Sequence, residues 1–171
     1  MMHIVISRTL YWAQKPNILS IMKIEKANKQ DHLRSIVNFQ TELAQESEGL
    51  KLDPQLVENG VLKVFENPTI GNYMVCLDEG QILGCLLTQN EWSDWRNGIV
   101  LWIHSVYILP QFRKKGIFKK MYEELKRKVE NDPNLLGLRL YVDKNNISAQ
   151  KVYEKLNMGN NHYHLFEWLK G

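Results

Sequence analysis

Residues Val100–Leu125 read VLWIHSVYILPQFRKKGIFKKMYEEL. Val100 to Leu109 is apolar and rich in β-branched and aromatic residues, Pro110 stops the run, and helical spacing takes over, which predicts strand, tight loop, helix. Arg113, Lys114, Lys115, Lys119 and Lys120 crowd around the start of that helix. Free N–H groups already make a helix N-terminus positive, so each cation there costs a few tenths to about 1 kcal/mol. An anion held jointly by the side chains and the N–H groups reverses the sign, so the placement predicts a polyanionic ligand. Gly116 fits this reading, because a residue without Cβ lets the backbone approach a phosphate and takes φ > 0 without strain. A solvated basic helix start explains the same charges, and both readings stay open.

Working outward, the chain has 171 residues, 44% of them hydrophobic and 24% charged, the size and balance of one globular domain with a real core. The net charge of +3 owes much to residues 113 to 128, a local patch that suits one anionic ligand better than a surface basic all over. No zinc-finger spacing or RNA-binding aromatic signature accompanies it, so nucleic acid is not expected as a partner. No apolar run is long enough for a signal or membrane segment, and no membrane partner is expected. The two cysteines, Cys76 and Cys85, flank an Asp78-Glu79-Gly80-Gln81 turn. If Glu79-Gly80 is a two-residue hairpin turn, Cys76 faces Leu83 and the thiols lie diagonal, so two free buried cysteines in a reducing, cytoplasmic setting are expected, with no metal framework.

Met22 to Ala27 reads as a first strand, and Asp31 to about Glu46 as a helix with Leu33, Ile36, Val37, Leu43 and Ala44 on one face. Asp53-Pro54 opens a second helix, cap followed by proline. Gly71 to Leu77 and Gln81 to Thr88 form a hairpin, and Asn97-Gly98 turns the chain into the long strand. Beyond the basic helix come a strand at Gly137 to Val142, a short helix from Asn146, and a last strand at His162 to Leu169.

Arg113-Lys114-Lys115-Gly116-Ile117-Phe118 resembles the acyl-CoA signature R-x-x-G-x-G/A of the GCN5-related N-acetyltransferases (GNAT family). Downstream, Asn146 through Met158 resembles the family's N-x-x-A-x-x-x-Y-x-x-x-G-F/M, with Ala149 and Tyr153 in place. The two blocks stand in the family's order and spacing. Phe118 departs from the usual Gly or Ala, and Asn157 from the usual Gly, a mild change because Asn tolerates the left-handed region. The resemblance implies a GNAT domain over residues 22–171, behind an N-terminal extension, 1–21, of unknown role. It also implies an α/β (α+β) fold, a mixed, mostly antiparallel sheet of six to seven strands flanked by about four helices.

The activity implied is direct transfer of an acetyl group from acetyl-CoA to a primary amine of a small molecule or peptide, with no metal. Lys114 to Lys119 would hold the phosphates, together with Arg113, Gly116, Ile117 and Phe118. The backbones of Val106, Tyr107 and Ile108 would bind the pantetheine arm as an added strand, and Asn146 would bind cofactor. Tyr153 would protonate the departing thiolate, since a thiol of pKa near 8.5 leaves more easily protonated. A base is needed because an alkyl amine is protonated at neutral pH; His104 stands where many relatives carry Glu, and histidine titrates in the right range. Regular alternation puts His104 on the face of Val106 and Ile108 unless a bulge redirects it. Glu46 and Glu48, between the first two helices, and Glu91, Trp92 and Tyr163 are the candidate acceptor contacts. Dimers are common in the family, so a homodimer is open. The alternative is a CoA-binding sensor of the same fold without turnover, a reading that Phe118 favours.

Overall fold

The computed structural model describes residues 22–170. The extension expected at residues 1–21 lies outside them. Five strands form one sheet in sequence order: β1 (Lys23–Lys26), β2 (Asn72–Asp78), β3 (Gln81–Ser93), β4 (Gly98–Ile108) and β5 (Leu135–Arg139). The first four pair antiparallel and β5 runs parallel to β4. Helices α1 (Lys29–Glu48) and α2 (Pro54–Glu66) link β1 to β2, α3 (Ile117–Asn131) links β4 to β5, and α4 (Ile147–Lys155) follows β5.

The two helices between β1 and β2 each start at a side-chain cap. Asn28 and Asp53 side chains accept the N–H groups of Asp31 and Leu56, and Gly49 closes α1 in the left-handed region. The pleat then sorts the sheet's side chains into two cores. Val75, Cys85, Leu87 and Tyr107 pack against Ile36, Phe39, Val61 and Val64 of α1 and α2. Cys76, Leu83, Leu86 and Ile103 pack on the other face against Ile117, Met121 and Leu125 of α3. The layers are therefore helix pair, sheet, helix pair.

Three expectations change. The sheet has five strands among the described residues, not six or seven, because residues 162–169 form no strand. That stretch alternates like one, yet Leu165, Phe166, Trp168 and Leu169 are all exposed. A strand needs a paired edge as well as a pattern. The fifth strand starts two residues earlier and ends three earlier than the expected Gly137 to Val142. Cys76 pairs with Gly84 rather than Leu83, because a bulge between Cys76 and Leu77 skips one residue. The cysteines consequently sit on adjacent rungs with side chains on opposite faces, both buried and free. Burial pushes their thiols up, Cys76 to about 11 and Cys85 to about 12.

Candidate active site

The site begins where β4 and β5 part. Their parallel pairing runs from Ile99 with Leu135 to Trp102 with Arg139 and then ends. Just beyond, Ser105 takes φ +48, and Ser105 and Val106 together stand opposite the single residue Leu86 of β3. This bulge reverses the face order of β4. Ile103 belongs to the α3 core and Tyr107 to the α1/α2 core, although both are odd-numbered. His104 therefore lies on the α1/α2 face, opposite Val106 and Ile108, which pack toward α3. The Leu109 N–H donates to the Leu83 carbonyl, so by alternation the backbone groups of Tyr107 also turn toward β3. Those of Val106 and Ile108 turn toward the open edge, where the Ile108 carbonyl accepts Arg113 Nε at 2.8 Å. Of the three residues expected to bind pantetheine through the backbone, the structure turns two to the opening.

The open edge runs straight into the basic turn. Lys114 and Gly116 both have positive φ, +62 and +77, and Gly116 is the N-cap of α3 with no side-chain cap bond. The first-turn N–H groups of α3 thus end in an exposed loop, the arrangement that binds anions. The cations have separate placements. Lys115 Nζ lies 4.9 Å over the Phe112 ring, Lys119 pairs with Glu123 at 3.6 Å, and Lys120 Nζ donates to the Met22 carbonyl at 2.7 Å. Arg113 turns away from the loop to Glu46 Oε2 at 2.6 Å. Tyr107 donates to the other Glu46 oxygen at 3.3 Å, so Glu46 ties α1 to the cofactor turn. Glu48 is exposed at the end of α1.

Phe118 does not fill the turn. Its ring packs into the α3-side core and meets the Tyr153 ring edge-on at 5.4 Å. Tyr153 is half-buried on α4, and burial raises its phenol above the usual 10. Asn146 caps α4 by accepting the Ala149 N–H at 3.0 Å. Asn157 takes φ +61 after the helix, the left-handed conformation for which glycine is usual.

On the other face of the sheet, β3, β4 and β5 align a second cluster. His104 stacks on Trp102 with centroids 5.9 Å apart, and Tyr141, just past β5, meets the edge of His104 at 5.4 Å. Burial lowers the His104 pKa, which keeps the imidazole neutral at neutral pH. Glu91 accepts from the Trp102 indole N–H and from Arg139 Nη1. The indole bond, against desolvation and aided by Arg139, holds Glu91 below the usual carboxylate range. Tyr163 lies with its ring 5.7 Å from the Arg139 guanidinium. Trp92 is the exception: the pleat puts it on the face opposite Glu91, 61% exposed. Arg139 and Tyr141 escaped the sequence reading. Their two-residue spacing marks one face of a strand, but only the register to Trp102 reveals what they face.

A family model described as "Acetyltransferase (GNAT) family" matches residues 33–158. The chain belongs to the GNAT acetyltransferase family. As a member it is an acyltransferase, and its fold agrees with solved relatives. The crystal structure of "a possible acetyltransferase" from Clostridium difficile 630 is 37% identical with a TM-score of 0.81, covering 88% of this chain and 98% of that one. An aminoglycoside N-acetyltransferase solved in complex with CoA shares the fold at 16% identity, with a TM-score of 0.70 over 88% of this chain and 95% of that one. An N-alpha-acetyltransferase of Saccharolobus solfataricus is 29% identical over 94 residues, 50% of this chain. The match spans about half the length of that protein, 54%. Among the described residues no helix is long and apolar enough to cross a membrane.

Proposed function

We propose that the protein transfers an acetyl group from acetyl-CoA to a primary amine of a small molecule or peptide. The observation that carries this reading is the parting of β4 from β5 past Trp102 and Arg139, which opens the sheet between a basic turn and two titratable groups on opposite faces. The turn from Lys114 to Lys119 binds the cofactor phosphates through the N–H groups at Gly116, Ile117 and Phe118. Asn146 caps α4 beside the cofactor. Pantetheine adds along the open edge of β4, using the backbone of Val106 and the N–H of Ile108. Arg113 supports the turn through Ile108 and Glu46 instead of contacting phosphate.

The thioester then lies in the gap, with Tyr153 on the α3/α4 side and His104 on the α1/α2 side. The amine enters from the His104 face and loses its proton to that neutral imidazole, directly or through a water. A C–N bond forms, the tetrahedral carbon collapses as the C–S bond breaks, and the nitrogen sheds its second proton to solvent, from which Tyr153 later regains the one it gives to sulfur. The raised pKa of Tyr153 keeps it protonated, so it donates to the sulfur as negative charge develops there. The sheet thus keeps base and acid apart, each against its own reactant. The aminoglycoside enzyme and the archaeal N-alpha-acetyltransferase act on amines by their names, which supports the reaction class without ranking acceptors.

The test is acetyl-CoA consumption with a panel of primary amines. Amine-dependent release of CoA supports the proposal. Acetyl-CoA binding with no transfer to any amine would favour the sensor, although Phe118, packed on Tyr153, leaves the turn exposed.

A further inference from the structure

The acceptor face carries a cation, Arg139, with no part in phosphate binding or proton transfer. Arg139 ends β5 opposite Trp102. Along β4 its partner Trp102 lies two residues, roughly 7 Å, from His104. Its guanidinium is clamped: Nη1 lies 2.6 Å from Glu91 Oε1, the Trp102 ring 6.0 Å from Cζ and the Tyr163 ring 5.7 Å. The side chain remains 32% exposed. Glu91 is its one hydrogen-bond partner among the described residues, which leaves most of a guanidinium's five donors to solvent or a ligand. A planar fork held by stacking and by one fixed bond has already lost the freedom that binding a carboxylate would otherwise cost.

The carboxylates nearby point the same way. Glu46 is matched by Arg113, and Glu91 by Trp102 and Arg139. Both Glu91 oxygens are taken, by Trp102 and Arg139, so Glu91 has little left for a polyamine's second ammonium, whereas Arg139 keeps N–H donors that no described residue takes. Resting on the acetyltransferase reading above, we propose that the acceptor amine carries its own carboxylate, which Arg139 binds while the amine meets His104. The substrate class is a small amino acid, with the rung spacing favouring an ω-amino acid. Glu91 sets the preference for a monoanion, since a phosphate dianion beside it would be repelled.

Matched acceptors test this: β-alanine against β-alaninamide, lysine against cadaverine, and phosphoethanolamine as the dianion, each with wild type, Arg139→Gln and the double variant Glu91→Gln/Arg139→Gln. Wild type should favour the carboxylate partner of each pair by about tenfold or more in kcat/KM, the usual scale for a hydrogen bond to a charged group. The ratio should fall toward one in both variants, mostly through KM. The double variant leaves no unpaired carboxylate, so it guards against a folding artefact, and the wild-type ratios decide the matter even if neither variant folds. Equal rates within the pairs, an unchanged ratio in folded variants, or a preference for cadaverine or phosphoethanolamine would overturn the proposal while leaving the acetyltransferase intact. Transfer to no amine would instead overturn the acetyltransferase reading, and this one with it.

Discussion

The cofactor turn and the acceptor face are built in opposite ways. Arg113 to Phe118 is a run of neighbours whose business is done by main-chain N–H groups, two positive φ angles and a helix start. Glu91, Trp102, His104, Arg139 and Tyr141 come from three strand segments, and their business is done by side chains. A backbone site is specified locally. A side-chain site depends on register, and here on one bulge at Ser105. Side-chain replacement should therefore act sharply on proton transfer and weakly on the cofactor turn, unless the backbone there is itself obstructed.

The largest effect is expected at Tyr153. Tyr153→Phe should lower kcat about 100-fold or more, within the range for removing a positioned acid, while acetyl-CoA affinity by calorimetry stays close to wild type. An unchanged kcat would mean that the thiolate leaves unaided. His104→Gln comes next, with a loss of about 10- to 100-fold in kcat/KM. Desolvation disfavours imidazolium, so the base is competent above its depressed pKa and is lost below it. In a pH–rate profile the wild-type acid limb should fall with a midpoint below 6.5, and the variant should lack that limb.

Ser105→Val separates the bulge from the residues that it aims. A β-branched side chain at φ +48 costs about 1–2 kcal/mol. Differential scanning should show a Tm lower by roughly 2–8 °C, with activity falling as His104 loses its place. Ser105→Gly, which meets no such strain, should keep both. Normal stability and activity in Ser105→Val would mean that the bulge does not aim His104. The smallest effect belongs to the link between the regions. Glu46→Gln removes a partly exposed pair with Arg113 and should cost no more than about 1 kcal/mol in chemical denaturation.

The same contrast explains what could be read in advance. The turn at Gly116, the cap at Asn146 and the left-handed Asn157 follow from neighbours, as does the order of most elements, while the α/β fold followed from the resemblance of these blocks to the GNAT family. The face of His104 did not, because Ser105 is no glycine and nothing local marks it as a bulge. Arg139 and Tyr141 gain meaning only from the Trp102 register. The pairing of Glu46 with Arg113 joins residues 67 apart, beyond any local pattern. The stretch from His162 to Leu169 shows the converse, a good strand pattern with no edge to pair.

The most direct measurement is isothermal titration of the protein with acetyl-CoA, in parallel with Gly116→Asp. That variant puts a carboxylate at φ +77, where the phosphates approach the backbone. Micromolar binding by the wild type, lost in a folded Gly116→Asp, is the predicted result. A wild type that does not bind acetyl-CoA, or a folded variant that binds it as tightly, would contradict the account at its centre.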